Sequence, residues 1–166
     1  MLALVEAGQI TPRAEDVAAR AAVGLRSVFR HFKDMDSLYA EMAQRLAQGY
    51  QASLSPFKST LWRDQLFEAI DRRLTVYERL LPFKRAADAH RHESPIIQQN
   101  HEYVIALLRA RLSVILPPAH AADPMIFETI DMLLSFDIWQ RLRIEQRLPA
   151  ISARSIVEAQ VAALID

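Results

Sequence analysis

Apolar side chains recur three and four positions apart along most of this 166-residue chain, the spacing that keeps them on one face of a helix. The clearest stripe is Trp62, Leu66, Ile70, Leu74 and Tyr77, which predicts a helix over 61–81. Pro82 is expected to end or kink it, leaving 83–92 as a short helical piece or loop. Ser94 and Pro95 read as a start signal for a helix to about 116. A proline-rich linker over 117–124 follows, then a helix over about 125–147. Pro149 and Ser152 open a last helix to 165. Nearer the beginning, residues 1–7 look like the end of a helix stopped by Gly8. Thr11 is the expected N-cap of the next, with Pro12 in its first turn and Val17, Ala18 and Ala21 on its apolar side. A tight break at 21–24 separates this helix from another over 25–32. Asp34 caps a longer one carrying Leu38, Met42, Leu46 and Tyr50, and the pattern breaks again over 53–60.

No stretch alternates like a strand, and no segment repeats, so the chain reads as all-α. It falls into two blocks: short helices over 1–46 and a helical bundle over 47–166. Ala, Leu, Arg, Glu and Gln dominate between the prolines, in keeping with helix.

Composition narrows the function. Twenty basic and 20 acidic residues cancel, so binding to nucleic acid has to come from a local patch. There is no cysteine, which removes disulfides and thiolate chemistry and fits a cytoplasmic protein. No apolar run approaches the roughly 18–20 residues of a membrane helix, so no membrane partner is expected. The opening residues carry Glu6 and lack a basic run, unlike a signal peptide.

The segment GLRSVFRHF, residues 24–32, mixes Arg26, Arg30 and His31 with Val28, Phe29 and Phe32. Two short helices joined by a turn form the helix-turn-helix pattern, whose second helix must pack on the first and also reach DNA. Val28 and Phe32 share a face and can pack on Val17, Ala18 and Ala21; Arg26 and Arg30 share another. From Val17 to Lys33 there are basic residues (Arg20, Arg26, Arg30, Lys33) and no acidic one. A solvated basic face would have the same composition.

Residues 10–42 resemble the DNA-binding segment of the TetR/AcrR family of bacterial transcriptional regulators. Val17-Ala18, the turn Ala21-Ala22-Val23-Gly24, then Ser27, Val28, Phe29, His31-Phe32 and Leu38 fall in register with the family's pattern. The resemblance implies that Leu25, Arg26, Ser27 and Phe29 face the major groove, with Thr11, Arg30, His31 and Lys33 near phosphates. Arg26 is then the candidate for a bidentate base contact. His31 has a second reading, as an interior histidine that pins the helix end. Ala22 stands where the family has a turn glycine, at a cost on the order of 1–2 kcal/mol if the backbone there is left-handed. Gly24 replaces a serine N-cap, Phe29 lacks a tyrosine hydroxyl, and Met35 replaces a lysine. Relative to the family, the first helix is expected to be truncated at its start.

The resemblance further implies a ligand pocket in the bundle and a dimer interface on the last two helices. Pocket candidates are Trp62, Tyr77, Phe83, Asn100, His101, Tyr103, Phe127 and Trp139; each could also be ordinary core. Interface candidates are Leu134, Ile138, Leu142, Val157, Val161 and Leu164. The helix over 125–147 is apolar on more than one side (Phe127, Ile130, Leu133, Leu134, Ile138, Leu142), which fits a core on one side and a second subunit on the other, or a deeply buried central helix. Asp131 and Asp137 are expected to pair with Arg141 or Arg143. His90, His92 and His101 lack ligand spacing, so no metal and no cofactor is expected. No catalytic motif is present: no Walker loop, dinucleotide fingerprint or nucleophile elbow. The expectation is a ligand-responsive regulator, usually a repressor in this family, that binds palindromic double-stranded operator DNA as a homodimer and responds to a small hydrophobic or amphipathic effector. It is not expected to be an enzyme. The alternative is a helical small-molecule-binding or interaction protein whose truncated head no longer binds operators.

Overall fold

The computed structural model describes residues 1–51 and 54–166, with the side chains of all of these except Met35, Arg45, Leu46 and Gln51. The expected roles of Met35 and Leu46, and the first residue of the break expected at 53–60, lie outside that description. Among the described residues the fold is helical, with no strand. The helices are α1 (Leu2–Glu6), α2 (Ala14–Ala21), α3 (Leu25–His31), α4 (Met35–Gln51), α5 (Trp62–His90), α6 (Pro95–Ile115), α7 (Pro118–Ala121), α8 (Pro124–Leu133), α9 (Phe136–Gln140) and α10 (Ala150–Ile165). They divide between two compact units, one of Met1–Gly49 and Leu80–Val104, the other of Tyr50–Arg79 and Ile105–Asp166.

In the first unit Val17 and Ala18 of α2, Val28 of α3 and Leu38 of α4 form a buried cluster, covered by Met1, Leu4 and Phe32. The larger of these, Val17, Val28 and Leu38, each contribute roughly 1.5–3 kcal/mol on burial. Ala21, expected in this cluster, is exposed at the last position of α2. Gly8 ends α1 with φ +96°, a left-handed backbone that glycine adopts without a Cβ penalty. The N-cap of α2 is Arg13, not Thr11: Pro12 is buried ahead of the helix, and the Arg13 N–H donates to Asp16 Oδ2 at 2.8 Å. Asp34 caps α4 as expected, accepting from the Ser37 N–H at 2.8 Å and the Ser37 hydroxyl at 2.7 Å. Tyr39 is buried and donates its hydroxyl to the Pro12 carbonyl at 3.3 Å. Burial pushes its ionisation up to about 12.

α5 runs on through Pro82 to His90, where an end or a kink, followed by a short helical piece or loop, was expected. Proline removes one backbone N–H and so one hydrogen bond. Leu80, Leu81, Phe83, Ala86 and Ala87 are all buried around it, and that burial offsets the loss. Ser94 caps α6 through its hydroxyl, which accepts from the Ile97 N–H at 3.4 Å.

The second unit has its core on Leu66, Ile70 and Leu74 of α5, Leu108 and Leu112 of α6, Ile130 of α8, and Ala153, Val157, Val161 and Ile165 of α10, all buried. α8 packs against α10. The expected linker over 117–124 contains the helical turn α7, started by Pro118, and Asp123 caps α8 by accepting from the Met125 N–H at 2.8 Å. The single helix expected over 125–147 is broken. α8 stops at Leu133, and Ser135 starts α9 by accepting from the Ile138 N–H at 3.3 Å. A wide turn over Arg141–Glu145 follows, with a bond from the Gln146 N–H back to the Arg141 carbonyl at 2.9 Å. α10 then begins at Ala150 with Pro149 as its N-cap, so that Ser152 lies inside the helix.

A break in a buried helix leaves carbonyls without intrahelical partners. Two side chains from α5 meet one of them: Tyr77 donates to the Leu134 carbonyl at 3.0 Å and Arg73 at 3.3 Å. Glu78, one residue on, holds the next segment. It accepts a fork of bonds from Arg143 at 2.6 and 2.8 Å and one from the Trp139 indole at 3.1 Å. Arg143 thus pairs with Glu78, Asp131 with Arg109 and Arg141 with Glu145, not in the pairings expected from sequence.

The bonds from Arg143, its charge and the Trp139 N–H hold the Glu78 carboxyl below the ordinary carboxylate range, against the opposing effect of burial. A carboxyl depressed in the folded state contributes stability that is full above its unfolded pKa of about 4.3 and is lost as pH falls through its folded value. Glu78→Gln is therefore expected to cost about 1 kcal/mol at pH 7, a figure already reduced for its partial exposure. The cost should shrink on acidification below about pH 4. Urea unfolding at both pH values checks this; an equal cost at each would show that the contact is not ionic.

Candidate nucleic-acid interface

The turn between α2 and α3 is built from the backbone. Ala22 has φ 54° and ψ 40°, the left-handed conformation. The Val23 N–H returns to the Ala18 carbonyl at 3.1 Å, and the Ala22 N–H to Ala19 at 3.2 Å. This pair of bonds closes the helix end in the Schellman manner, usually with glycine at the left-handed position. Gly24 then enters α3 with φ −70° and ψ 152°, an extended N-cap without a side-chain oxygen.

Val28 is the buried residue of α3. At 100° per residue, Arg26 and Arg30 stand nearly opposite it. Both are exposed, as are His31 and Lys33. Ser27 is half-buried and Thr11 exposed. Leu25 and Phe29, 39% and 45% exposed, lie beside the arginines, and Val23 in the turn is also 45% exposed. Isolated apolar side chains on a surface are ordinary, but here Leu25 and Phe29 share one flank of a short helix beside its two arginines. His31 is exposed, so it does not pin the helix from the interior.

Acidic groups next to this basic segment are occupied as caps. Asp16 accepts from the Gln9 amide at 2.7 Å as well as from the Arg13 N–H. The Ser37 hydroxyl and then the Ser37 N–H hold the Asp34 carboxyl below its ordinary range, so it stays anionic while serving α4. Asp34 lies within the field of Lys33, while Arg26 and Arg30 are exposed on α3.

The sequence-derived pocket residues do not collect in one place. Phe83 is buried in the first unit and Asn100 half-buried, while Tyr103 is 56% exposed. His101 accepts from Arg91 at 2.7 Å through Nε2 and lines an open cavity of about 530 Å³ with Arg91, His92, Glu93, Pro95 and Gln98. In the second unit Trp62 lies against His120 with centroids 5.4 Å apart, and Phe127 lies under Arg109 at 5.1 Å. Tyr77 and Trp139 are buried with their polar atoms engaged as described above. Among the described residues no group of three or more His, Asp or Glu side chains is placed to hold a metal ion, and no helix is long and apolar enough to cross a membrane.

The interface candidates separate by burial. Leu134, Leu142, Val157 and Val161 are buried in the core of the second unit, whereas Ile138 and Leu164 are half-buried. The exposed faces of α8 and α10 instead carry Met125, Met132, Ile151 and Ile156. Sequence reasoning missed Arg73. The signal for Arg73 was available: a cation between Ile70, Leu74 and Tyr77, on an otherwise apolar stripe.

No family model, curated protein or solved structure matches the chain.

The left-handed Ala22 generates a stability prediction. Ala22→Gly removes a cost of about 1–2 kcal/mol and adds unfolded-chain entropy of about 0.4–1 kcal/mol, for a net gain of roughly 0.5–1 kcal/mol. The same change at Ala19, exposed within α2, should destabilise by about 1 kcal/mol. Thermal melts of the two variants should move in opposite directions, and a fall for both would mean that Ala22 carries no strain.

Proposed function

We propose that this protein is a ligand-responsive, DNA-binding transcriptional regulator of the TetR/AcrR type, acting in the cytoplasm as a homodimer, and most simply a repressor. The observation that carries the reading is the surface of α3, where Arg26 and Arg30 stand opposite the buried Val28, with Leu25 and Phe29 exposed beside them. Arginine forks match the acceptor pair of guanine, and exposed apolar groups match the thymine methyl. Arg20, Arg30 and Lys33 add phosphate contacts that hold the helix in register. The resemblance over residues 10–42 supports the same assignment. The function is one of binding, not catalysis.

Two α3 helices must enter successive major grooves, about 34–36 Å apart or a multiple of one turn, to read a palindrome. The apolar residues left exposed on α8 and α10 support a second copy as the partner that sets this distance. A ligand releases DNA only if it binds the competent and incompetent arrangements with different affinity.

DNA binding should weaken steeply with salt, because phosphate contacts release counterions. Arg26→Ala is expected to relax base preference at one position per half-site by roughly 1–3 kcal/mol. Arg30→Ala should weaken all sequences alike and lower the salt slope by about one. Selection from a random duplex library followed by gel shifts measures both. If the wild type retains no duplex at low salt, the DNA-binding reading fails, and a helical ligand-binding or interaction protein takes its place. For the dimer, Ile156→Glu should convert the protein to monomers in sedimentation without unfolding it, because Ile156 is 42% exposed. A wild type already monomeric at micromolar concentration would remove the dimer.

A further inference from the structure

His90, His92 and His101 lack the spacing of metal ligands, yet the fold gathers them at one corner of the first unit, where α5 ends and α6 begins. Nη1 of Arg91 lies 2.7 Å from Nε2 of His101. An arginine in a protein keeps its proton and has no lone pair to offer, so this bond has one direction. Arg91 donates, and His101 accepts through a bare Nε2 with its proton on Nδ1. A protonated His101 has no lone pair at Nε2. The bond is then lost, and two cations stand where a donor and an acceptor stood.

The contact spans the corner. Between its ends the chain turns through His92, Glu93 and Ser94, and the N–H groups of Glu93 and Ser94 both return to the His90 carbonyl at 3.1 Å. Ser94 is buried and caps α6. On the other side the His90 ring lies against Tyr39 of α4, with centroids 4.0 Å apart, and the Tyr39 hydroxyl holds the Pro12 carbonyl ahead of α2. One ring stack and one hydrogen bond therefore separate the corner from the helix-turn-helix.

The charged groups around His101 do little for its protonated form. Asp88 stands 3.7 Å from Arg91 and also pairs with Lys84. Glu102, beside His101 on α6, accepts from Gln98 at 2.5 Å. Glu93 lines the cavity with His101, but its side chain is 80% exposed and faces His90 Nδ1 at 3.6 Å. A carboxylate this solvated is screened by water. His92 lines the same cavity, is exposed and brings no negative charge. The open cavity gives Arg91 room to swing into water once the bond is gone.

We propose that the Arg91–His101 bond is a proton-operated catch, which holds the α5–α6 corner while His101 is neutral and releases it when His101 takes up a proton. An imidazole ordinarily titrates near pH 6.5, within the range that living cells cross. The corner is firm above that range and loosens as the pH falls. The catch is a property of the first unit and is measured without DNA; only its consequence for α3 rests on the DNA-binding reading.

The test uses the full chain, labelled with nitrogen-15. Long-range proton–nitrogen spectra at about pH 8 are expected to show His101 protonated at Nδ1 alone. Hydrogen exchange at the Ser94 and Ile97 amides, corrected for its intrinsic pH dependence, should lose about tenfold in protection between about pH 7.5 and 5.5. His101→Gln keeps an acceptor, its amide oxygen, near the place of Nε2 and takes up no proton, so its corner should stay protected at both pH values. Arg91→Met removes the neighbouring cation, and His101 should then titrate at higher pH than in the wild type. If His101→Gln does not fold, Arg91→Met and the wild-type spectra decide the matter. A proton on Nε2 at pH 8, protection unchanged by acid, an equal loss in His101→Gln, or a His101 titration that Arg91→Met leaves unmoved would overturn the proposal. A wild type that retains no duplex would remove the DNA-binding reading and leave these results as they stand.

Discussion

Burial of Val28 against Val17, Ala18 and Leu38 sets the rotation of α3 about its own axis. A helix this short has little intrinsic stability, so tertiary contact has to hold it. Once Val28 points inward, the 100° step per residue turns Arg26 and Arg30 outward and leaves Leu25 and Phe29 on one flank. The left-handed Ala22 fixes the path by which the chain reaches this position, and Asp34 fixes where it leaves. The surface chemistry of residues 23–33 is a consequence of one apolar contact and two helix ends.

The second unit is held together differently. Its apolar core is conventional, but the segment from Leu134 to Pro149 changes direction repeatedly, and each change frees backbone groups. Polar side chains on two successive turns of α5 meet them or the residues beside them. Arg73 and Tyr77 reach the Leu134 carbonyl, and Glu78 reaches Trp139 and Arg143. Burial keeps Tyr77 protonated to about 12, so its hydroxyl remains a donor throughout the range in which the protein is used.

The helical class was legible because spacing alone reports it, and so were the two helices around Ala22, since their punctuation is local. The family's turn glycine left open whether Ala22 is left-handed, and the backbone has that conformation. Pro82 does not end the helix, because the apolar burial around it outweighs one lost hydrogen bond. The apolar run over 125–147 read as one helix, yet Ser135 within it is an N-cap that opens a new one. The candidate pocket aromatics were chosen by residue type, and type does not say which side chains meet. Leu134, Leu142, Val157 and Val161 were chosen for apolarity, which cannot distinguish an inward face from an outward one when α10 is apolar on both.

The sequence by itself determined what is local: helix content, the α2–α3 turn, the caps at Asp34 and Ser94, and the excess of cations between Val17 and Lys33. These depend on residues within a few positions of one another, so the chain carries them wherever it is placed. Only the tertiary structure decided what depends on distant partners. It set the continuity of α5, the break after Leu133, the pairing of Asp131 with Arg109 and of Glu78 with Arg143, and the burial of Arg73 beside a carbonyl 61 residues away. Hydrogen bonds and charges act over a few ångströms in space, and periodicity along the chain carries no record of which groups folding brings that close.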